Sequence, residues 1–109
     1  MANTFKLKTK ANVGVTTVGI YTAPASTTTV VIGITLANTS GSGVNVGVGI
    51  TRAGTTEDVK LLKNAPIPQG SSLEFMGGNK VVLETNDQIN VDSDTYNSVD
   101  AALTIMEIT

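Results

Sequence analysis

Residues 43–50 read GVNVGVGI, and this stretch identifies the fold class. A branched apolar residue stands at every second position, and asparagine or glycine fills the positions between. A period of two predicts a β-strand with one buried face. The other face is nearly bare backbone, so it needs cover from side chains of its own chain or from another subunit. The residues expected in the core are Val44, Val46, Val48 and Ile50.

The stretch just before residues 43–50 also has the composition of a β-strand. Residues 28–38, TTVVIGITLAN, are rich in β-branched side chains. Residues 38–43, NTSGSG, are the types that form a connecting loop. We therefore expect one regular strand with two distinct faces. The first face should carry Val30, Ile32, Ile34 and Leu36, and the second Val31, Gly33, Thr35 and Ala37.

Apolar stretches of this kind recur about every ten residues, separated by glycine, asparagine and proline. No stretch shows the 3.6-residue apolar period of a helix. The pattern predicts an all-β protein, a two-sheet β-sandwich with immunoglobulin-like or jelly-roll topology and eight or nine short strands, with a closed barrel as the alternative. We expect a single sandwich domain over residues 13–109, preceded at residues 1–12 by a basic N-terminal arm or edge strand.

The composition of the 109 residues excludes several classes of function. There is no histidine and no cysteine. Serine–histidine or cysteine–histidine catalysis, disulfides and zinc–thiolate sites are therefore excluded. Aromatic residues make up only 4% of the chain, too few for the platforms that accompany a carboxylate pair in a glycosidase. We expect no enzyme and no cofactor. No stretch resembles a signal peptide or reaches the ~20 apolar residues of a membrane span, so no membrane partner is expected.

One acidic loop is a candidate metal site. Residues 92–100, DSDTYNSVD, carry Asp92, Asp94, Asn97 and Asp100, whose oxygens are of the type that calcium prefers. The spacing departs from the twelve-residue calcium loop, because tyrosine and asparagine fill the positions for an acceptor and a glycine. The alternative is a turn whose side chains accept hydrogen bonds from nearby backbone. We expect no metal, and calcium at this loop stays an open alternative.

Charge is distributed unevenly along the chain. The net charge is −2, and Lys6, Lys8 and Lys10 are three of the seven basic residues. Residues 11–109 therefore hold four basic and nine acidic side chains, a net charge of −5. The three lysines would protect an edge strand, contact an acidic partner surface, or contact nucleic acid. The third alternative is disfavoured, because stacking aromatics and arginines are scarce, and no nucleic-acid partner is expected.

Residues 64–72, NAPIPQGSS, form the longest stretch without regular alternation. Its prolines at 66 and 68 cannot lie in a central strand, so the segment is a stiff crossing or an edge. The isoleucine between them either points outward to a partner or closes the end of the core. Together with the three lysines, the candidate partner-binding residues are Asn64, Pro66, Ile67 and Pro68.

From about Thr22 to Thr109, the chain resembles small virion-associated β-sandwich proteins of tailed bacteriophages. The stretches that carry the resemblance are TAPASTTTVVIGITLANTSGSGVNVGVGIT, LLKNAPIPQGSSLEFMGGNKVVLETNDQINV and the terminal LTIMEI. The most recognisable parts are PIPxGSSLE at residues 66–74 and LExxDxIxV at residues 83–91. These motifs are structural, so they carry no catalytic or ligand residues to transfer.

The resemblance implies a structural protein located in the virion and assembled in the host bacterial cytoplasm. We expect a capsid decoration or cement protein, a dimer or trimer, that bridges subunits of the major capsid protein, its lysine strip contacting an acidic capsid surface. The first alternative is a low-copy neck or tail adaptor or a fibre-associated protein. The second is a glycan-binding module, for which Tyr96 is the candidate aromatic. The expected partners are the major capsid protein or other virion proteins.

Overall fold

A computed structural model describes residues 3–54, 57–75 and 80–109, apart from the side chain of Phe75. These residues form nine strands and no helix, so the all-β prediction is confirmed. None of them belongs to a helix that could cross a membrane. The strands are β1 (Asn3–Val13), β2 (Val18–Thr22), β3 (Thr28–Asn38), β4 (Val44–Thr51), β5 (Asp58–Ile67), β6 (Ser72–Phe75), β7 (Val81–Leu83), β8 (Gln88–Ser93) and β9 (Val99–Ile108).

The strands form two antiparallel sheets. Sheet 1 has the order β1-β9-β3-β6, with β7 also pairing with β3, and sheet 2 has the order β2-β8-β4-β5. The pairs are nested: β1 with β9, β2 with β8, β3 with β6 and β7, and β4 with β5. Nested pairs divided between two sheets are the connectivity of a jelly roll. The predicted sandwich is therefore confirmed, and its topology is the jelly roll.

The core lies between the two sheets. All four apolar residues predicted to face inward from β4 are buried, with Val48 fully inaccessible and Ile50 only 7% exposed. From sheet 1 they meet residues such as Leu36, Leu103 and Ile105, all fully buried. Each such side chain contributes about 1.5–3 kcal/mol by leaving water. The alternation at residues 44–51 thus identified both the strand and its buried face.

The bare face of β4 is covered by its own chain. A Cβ atom built on Gly47 would lie 2.7 Å from Oδ1 of Asp92 on β8. One built on Gly49 would lie 3.0 Å from the carbonyl oxygen of Val59 on β5 and 3.1 Å from Oδ1 of Asn90. Of the two alternatives for this face, cover by neighbouring strands is the one present in the structure.

The regular alternation predicted for β3 is wrong. The pairing of β3 with β9 shifts register just after Val31. A bulge adds one residue and reverses which side chains face the core. As a result Ile34 and Leu36 are buried in the core, whereas Val30 and Ile32 lie half-buried on the opposite, outer face.

The segment predicted as irregular begins as a strand. β5 continues through Ile67, so the prediction is wrong for residues 64–67, although the edge position it allowed is correct. Pro66 is tolerated because an edge strand has one side without ladder partners. Asn64, with φ 55°, lies at a register shift between β4 and β5. Ile67 is 1% exposed, so it closes the core and does not point outward.

Candidate functional site

The three lysines of β1 face the core side of sheet 1. Directly opposed residues of an antiparallel pair project to the same side of the sheet. The partners of Lys6, Lys8 and Lys10 on β9 are Ile105, Leu103 and Ala101. All three partners are core residues. β1 is an edge strand of sheet 1, and it lies beside β2, an edge strand of sheet 2. The lysines therefore lie at the open side of the sandwich, between these two edge strands.

The large apolar residues of β1 consequently lie on the outer face of sheet 1. Across the sheet, Phe5 pairs with Met106, Met106 pairs with Val30, and Val30 pairs with Val82. These four residues form one apolar row across four strands. Phe5 is 69% exposed and Val82 is 56% exposed, and Leu7 beside the row is 65% exposed. We call the row Phe5–Met106–Val30–Val82 the apolar row.

The rest of this outer face is small and weakly charged. Its further positions on β9 and β3 are occupied mainly by alanine, threonine and glycine. They line two shallow grooves of about 300 and 330 Å³. The charged side chains that the strand register places on this face are Glu74 and Asp100, both away from the apolar row. At the end of the row, Val82 lines a separate pocket with Arg52 and Glu84. A broad surface with few charges and exposed apolar side chains is typical of a protein–protein contact.

A buried polar cluster holds β1 against the sandwich. Glu107 on β9 is 7% exposed; its Oε2 accepts a 2.6 Å hydrogen bond from the Tyr21 hydroxyl, and its Oε1 lies 2.9 Å from Nζ of Lys6. The Tyr21 hydroxyl is also 2.7 Å from Oγ1 of Thr29. The cluster therefore joins β2 of sheet 2 to three strands of sheet 1.

The cluster shifts the acidity of Glu107 and Tyr21. The hydrogen bond from Tyr21 and then that from Lys6 lower the pKa of Glu107, and they outweigh the opposing effect of burial. Burial and the hydrogen bond to Glu107 raise the pKa of Tyr21 to about 12. At neutral pH the carboxylate is therefore charged and the phenol is neutral, which suits the observed hydrogen bond.

The Tyr21→Phe variant should lose about 2 kcal/mol of stability at pH 7, because a hydrogen bond to a charged, buried group is removed. Glu107 has a lower pKa in the folded chain than in the unfolded one. Its ionised contacts thus stabilise the fold above the unfolded-state pKa, and this contribution is lost as the pH falls through the folded-state pKa. The difference between variant and natural chain should therefore narrow below about pH 4. Urea unfolding from pH 7 to pH 3 measures it; a constant difference would contradict the role of the ionised carboxylate.

The LExxDxIxV motif builds a turn. Both carboxylate oxygens of Asp87 are used: Oδ2 accepts from the backbone N–H of Glu84, and Oδ1 from the N–H of Ala53 and Nε of Arg52. Burial by itself would raise the pKa of Asp87, but these donors together lower it. Nη2 of Arg52 also lies 2.7 Å from Oε1 of Glu84. The motif therefore ties the β7–β8 turn to the β4–β5 turn.

The acidic loop forms hydrogen bonds within the fold. Asp94 accepts from the backbone N–H of Asn45, which lowers the pKa of Asp94, and Asp100 accepts from the N–H of Asn12. Across residues 3–54, 57–75 and 80–109 no three acidic side chains gather as metal ligands would. This arrangement fits the turn interpretation. Tyr96 in the same loop is 76% exposed.

The candidate partner-binding residues do not form one site. The lysines lie on β1, at an edge of sheet 1, whereas Asn64 and Pro66 are exposed on β5, at an edge of sheet 2. Since β1 lies beside β2, β5 is the far edge of sheet 2. Pro68 is exposed just after β5. The apolar row was not among the sequence candidates, although Phe5 and Leu7 alternating with lysines were its visible signal.

Comparison with known proteins shows a shared fold. No family model and no curated protein matches the chain. A chain from Bacillus endospore appendages, described as a novel family of disulfide-linked pili, superposes with a TM-score of 0.57 and 15% identity. The match covers 99% of the present chain and 87% of the pilus chain. The present chain has no cysteine, so disulfide linkage does not extend to it.

Two chains from infectious bursal disease virus have the same fold. One, from the T13 viral particle, has a TM-score of 0.59 and 15% identity over 96% of the present chain. The other, from the Gx strain, has a TM-score of 0.58 and 12% identity over 95%. The present chain spans only 30% and 33% of these viral chains. At such identities the likeness is one of fold.

Proposed function

We propose that this chain is a structural protein of a bacteriophage virion, a capsid decoration protein that stabilises the head by bridging major capsid protein subunits. The observation that carries the proposal is the apolar row, which crosses four strands of a face with few charges; Phe5 and Val82 are exposed, and Met106 and Val30 are half-buried. An apolar row with exposed large side chains on a small domain is typical of a surface that a partner covers. In this proposal the outer face of sheet 1 rests on the capsid.

The size of the face favours assembly in many copies. Four strands about 4.8 Å apart and about eight residues long present roughly 500 Å². A stable specific interface buries about 800 Å² on each partner, so one such face gives a weak contact. Contacts of this strength hold firmly when one chain bridges several neighbours or when copies are linked, because later contacts form at a high effective concentration. The copies are dimers or trimers in this proposal, and light scattering of the isolated chain tests that.

The shared fold supports a structural role. Chains of similar fold come from a viral particle and from endospore pili, which are assemblies of protein subunits. The match covers 87% of the pilus chain, so most of that subunit is a domain of this fold. The LExxDxIxV and PIPxGSSLE motifs support the fold, because Asp87 accepts hydrogen bonds from backbone N–H groups and Ser71 donates one to the carbonyl oxygen of Pro68.

The proposal predicts the copy number of the chain in purified particles. Quantitative mass spectrometry should find an amount comparable to that of the major capsid protein, because a decoration protein repeats over the head. A few copies per particle would contradict the decoration role and would favour the neck or tail adaptor. Absence of the chain from purified particles would contradict a virion role altogether.

A further inference from the structure

The free edge of β1 is available for strand pairing. β1 has eleven residues, and within the described chain its only ladder partner is β9. In an antiparallel ladder every second residue directs both its N–H and its C=O away from that partner. β1 therefore presents a row of backbone donors and acceptors long enough for another strand.

The charges beside this edge determine which strand fits. Lys6 is paired with Glu107, whereas Lys8 and Lys10 have no ion pair among residues 3–54, 57–75 and 80–109. All three project to the same side of β1. If two copies paired through β1 about a two-fold axis, the lysines of both β1 strands would lie on the same side of the shared sheet. Like charges would then lie opposite one another and weaken the pair.

We infer that the free edge of β1 binds an extended acidic segment of another protein as an added strand of sheet 1. Aspartate or glutamate at alternate positions would lie opposite Lys8 and Lys10. Apolar side chains at the positions between would lie beside Phe5 and Leu7 and would lengthen the apolar row. This inference rests on the proposed function, because it names the type of segment by which a virion partner would bind this chain.

The test uses the whole chain and a synthetic nine-residue peptide in which glutamate alternates with valine and threonine. Hydrogen exchange measured by NMR should show that the peptide protects alternate amides of β1, those that face the free edge. The Lys8→Glu/Lys10→Glu variant should bind this peptide about tenfold more weakly, since two favourable pairs become repulsive. A peptide with lysine in place of glutamate should bind the variant better than it binds the natural chain.

A control with the same change in charge lies on β5, an edge strand of sheet 2. The Lys60→Glu/Lys63→Glu variant makes the same change in net charge on β5, where Nζ of Lys60 lies 4.0 Å from Oδ2 of Asp92, and should bind the glutamate peptide as the natural chain does. Equal weakening by both variants, or no protection of β1 amides at saturating peptide, would overturn the inference and leave the lysines as protection against wrong pairing. Such a result combined with a high copy number in particles would remove this inference alone, whereas a low copy number would count against the proposed function.

Discussion

The Val82→Glu variant should be incorporated into particles at least tenfold less than the natural chain. Val82 is 56% exposed at the end of the apolar row. A glutamate there would carry a charge into an apolar contact, next to the existing carboxylate of Glu84, at a cost of about 3 kcal/mol, or roughly a hundredfold in affinity for each contact. Particles would be assembled with the variant as the sole source of this chain. Mass spectrometry of the purified particles would then give the ratio of the variant to the major capsid protein.

Val15→Glu is the matched control for this prediction. Val15 is 60% exposed, but it lies in the connection between β1 and β2, away from the outer face of sheet 1. The substitution and the exposure are thus nearly the same, and only the location differs. Both variants should unfold at the temperature of the natural chain. Equal incorporation of the two variants would show that the apolar row is not the contact surface.

The Leu103→Ala variant should unfold with about 3 kcal/mol less free energy than the natural chain. Leu103 is fully buried at the middle of β9, the strand between β1 and β3. Truncation removes its transfer free energy and leaves a cavity in the core. For a domain of this size, the melting temperature should fall by about 10–20 °C. Thermal and urea unfolding followed by circular dichroism measure both quantities.

The same substitution on β1 provides the contrast. Leu7 is 65% exposed on the outer face, so Leu7→Ala should change stability by no more than about 0.5 kcal/mol. The comparison also tests the orientation of β1. If Leu7→Ala destabilises the chain as strongly as Leu103→Ala does, then Leu7 is a core residue and the lysines face solvent instead.

The fold class could be predicted from sequence because β4 is apolar on one face only. Its alternation identified the strand and the core residues from Val44 to Ile50. β3 could not be predicted in the same way, because apolar residues occupy both of its faces and either assignment satisfies the pattern. The bulge after Val31 arises from the pairing with β9, which no local pattern contains.

The apolar row could not be predicted from the sequence, for a related physical reason. Alternating lysines and apolar residues in β1 predict a strand but do not say which face is covered. At the edge of a sandwich, long side chains that start on the core side can extend their charged ends to solvent between the sheets. Glu107 also provides a buried partner for Lys6. Phe5 and Leu7 are then directed outward. That choice depends on a residue about a hundred positions away, so it becomes visible only when β1 and β9 are paired.

A density map of the assembled particle, at a resolution that shows strands, tests most directly whether the outer face of sheet 1 is the surface of assembly. We expect the chain at many symmetric positions, with the apolar row covered by a neighbouring protein and the glycine-bearing outer face of β4 away from that contact. A map in which the apolar row faces solvent while the outer face of sheet 2 rests on the particle would contradict this expectation.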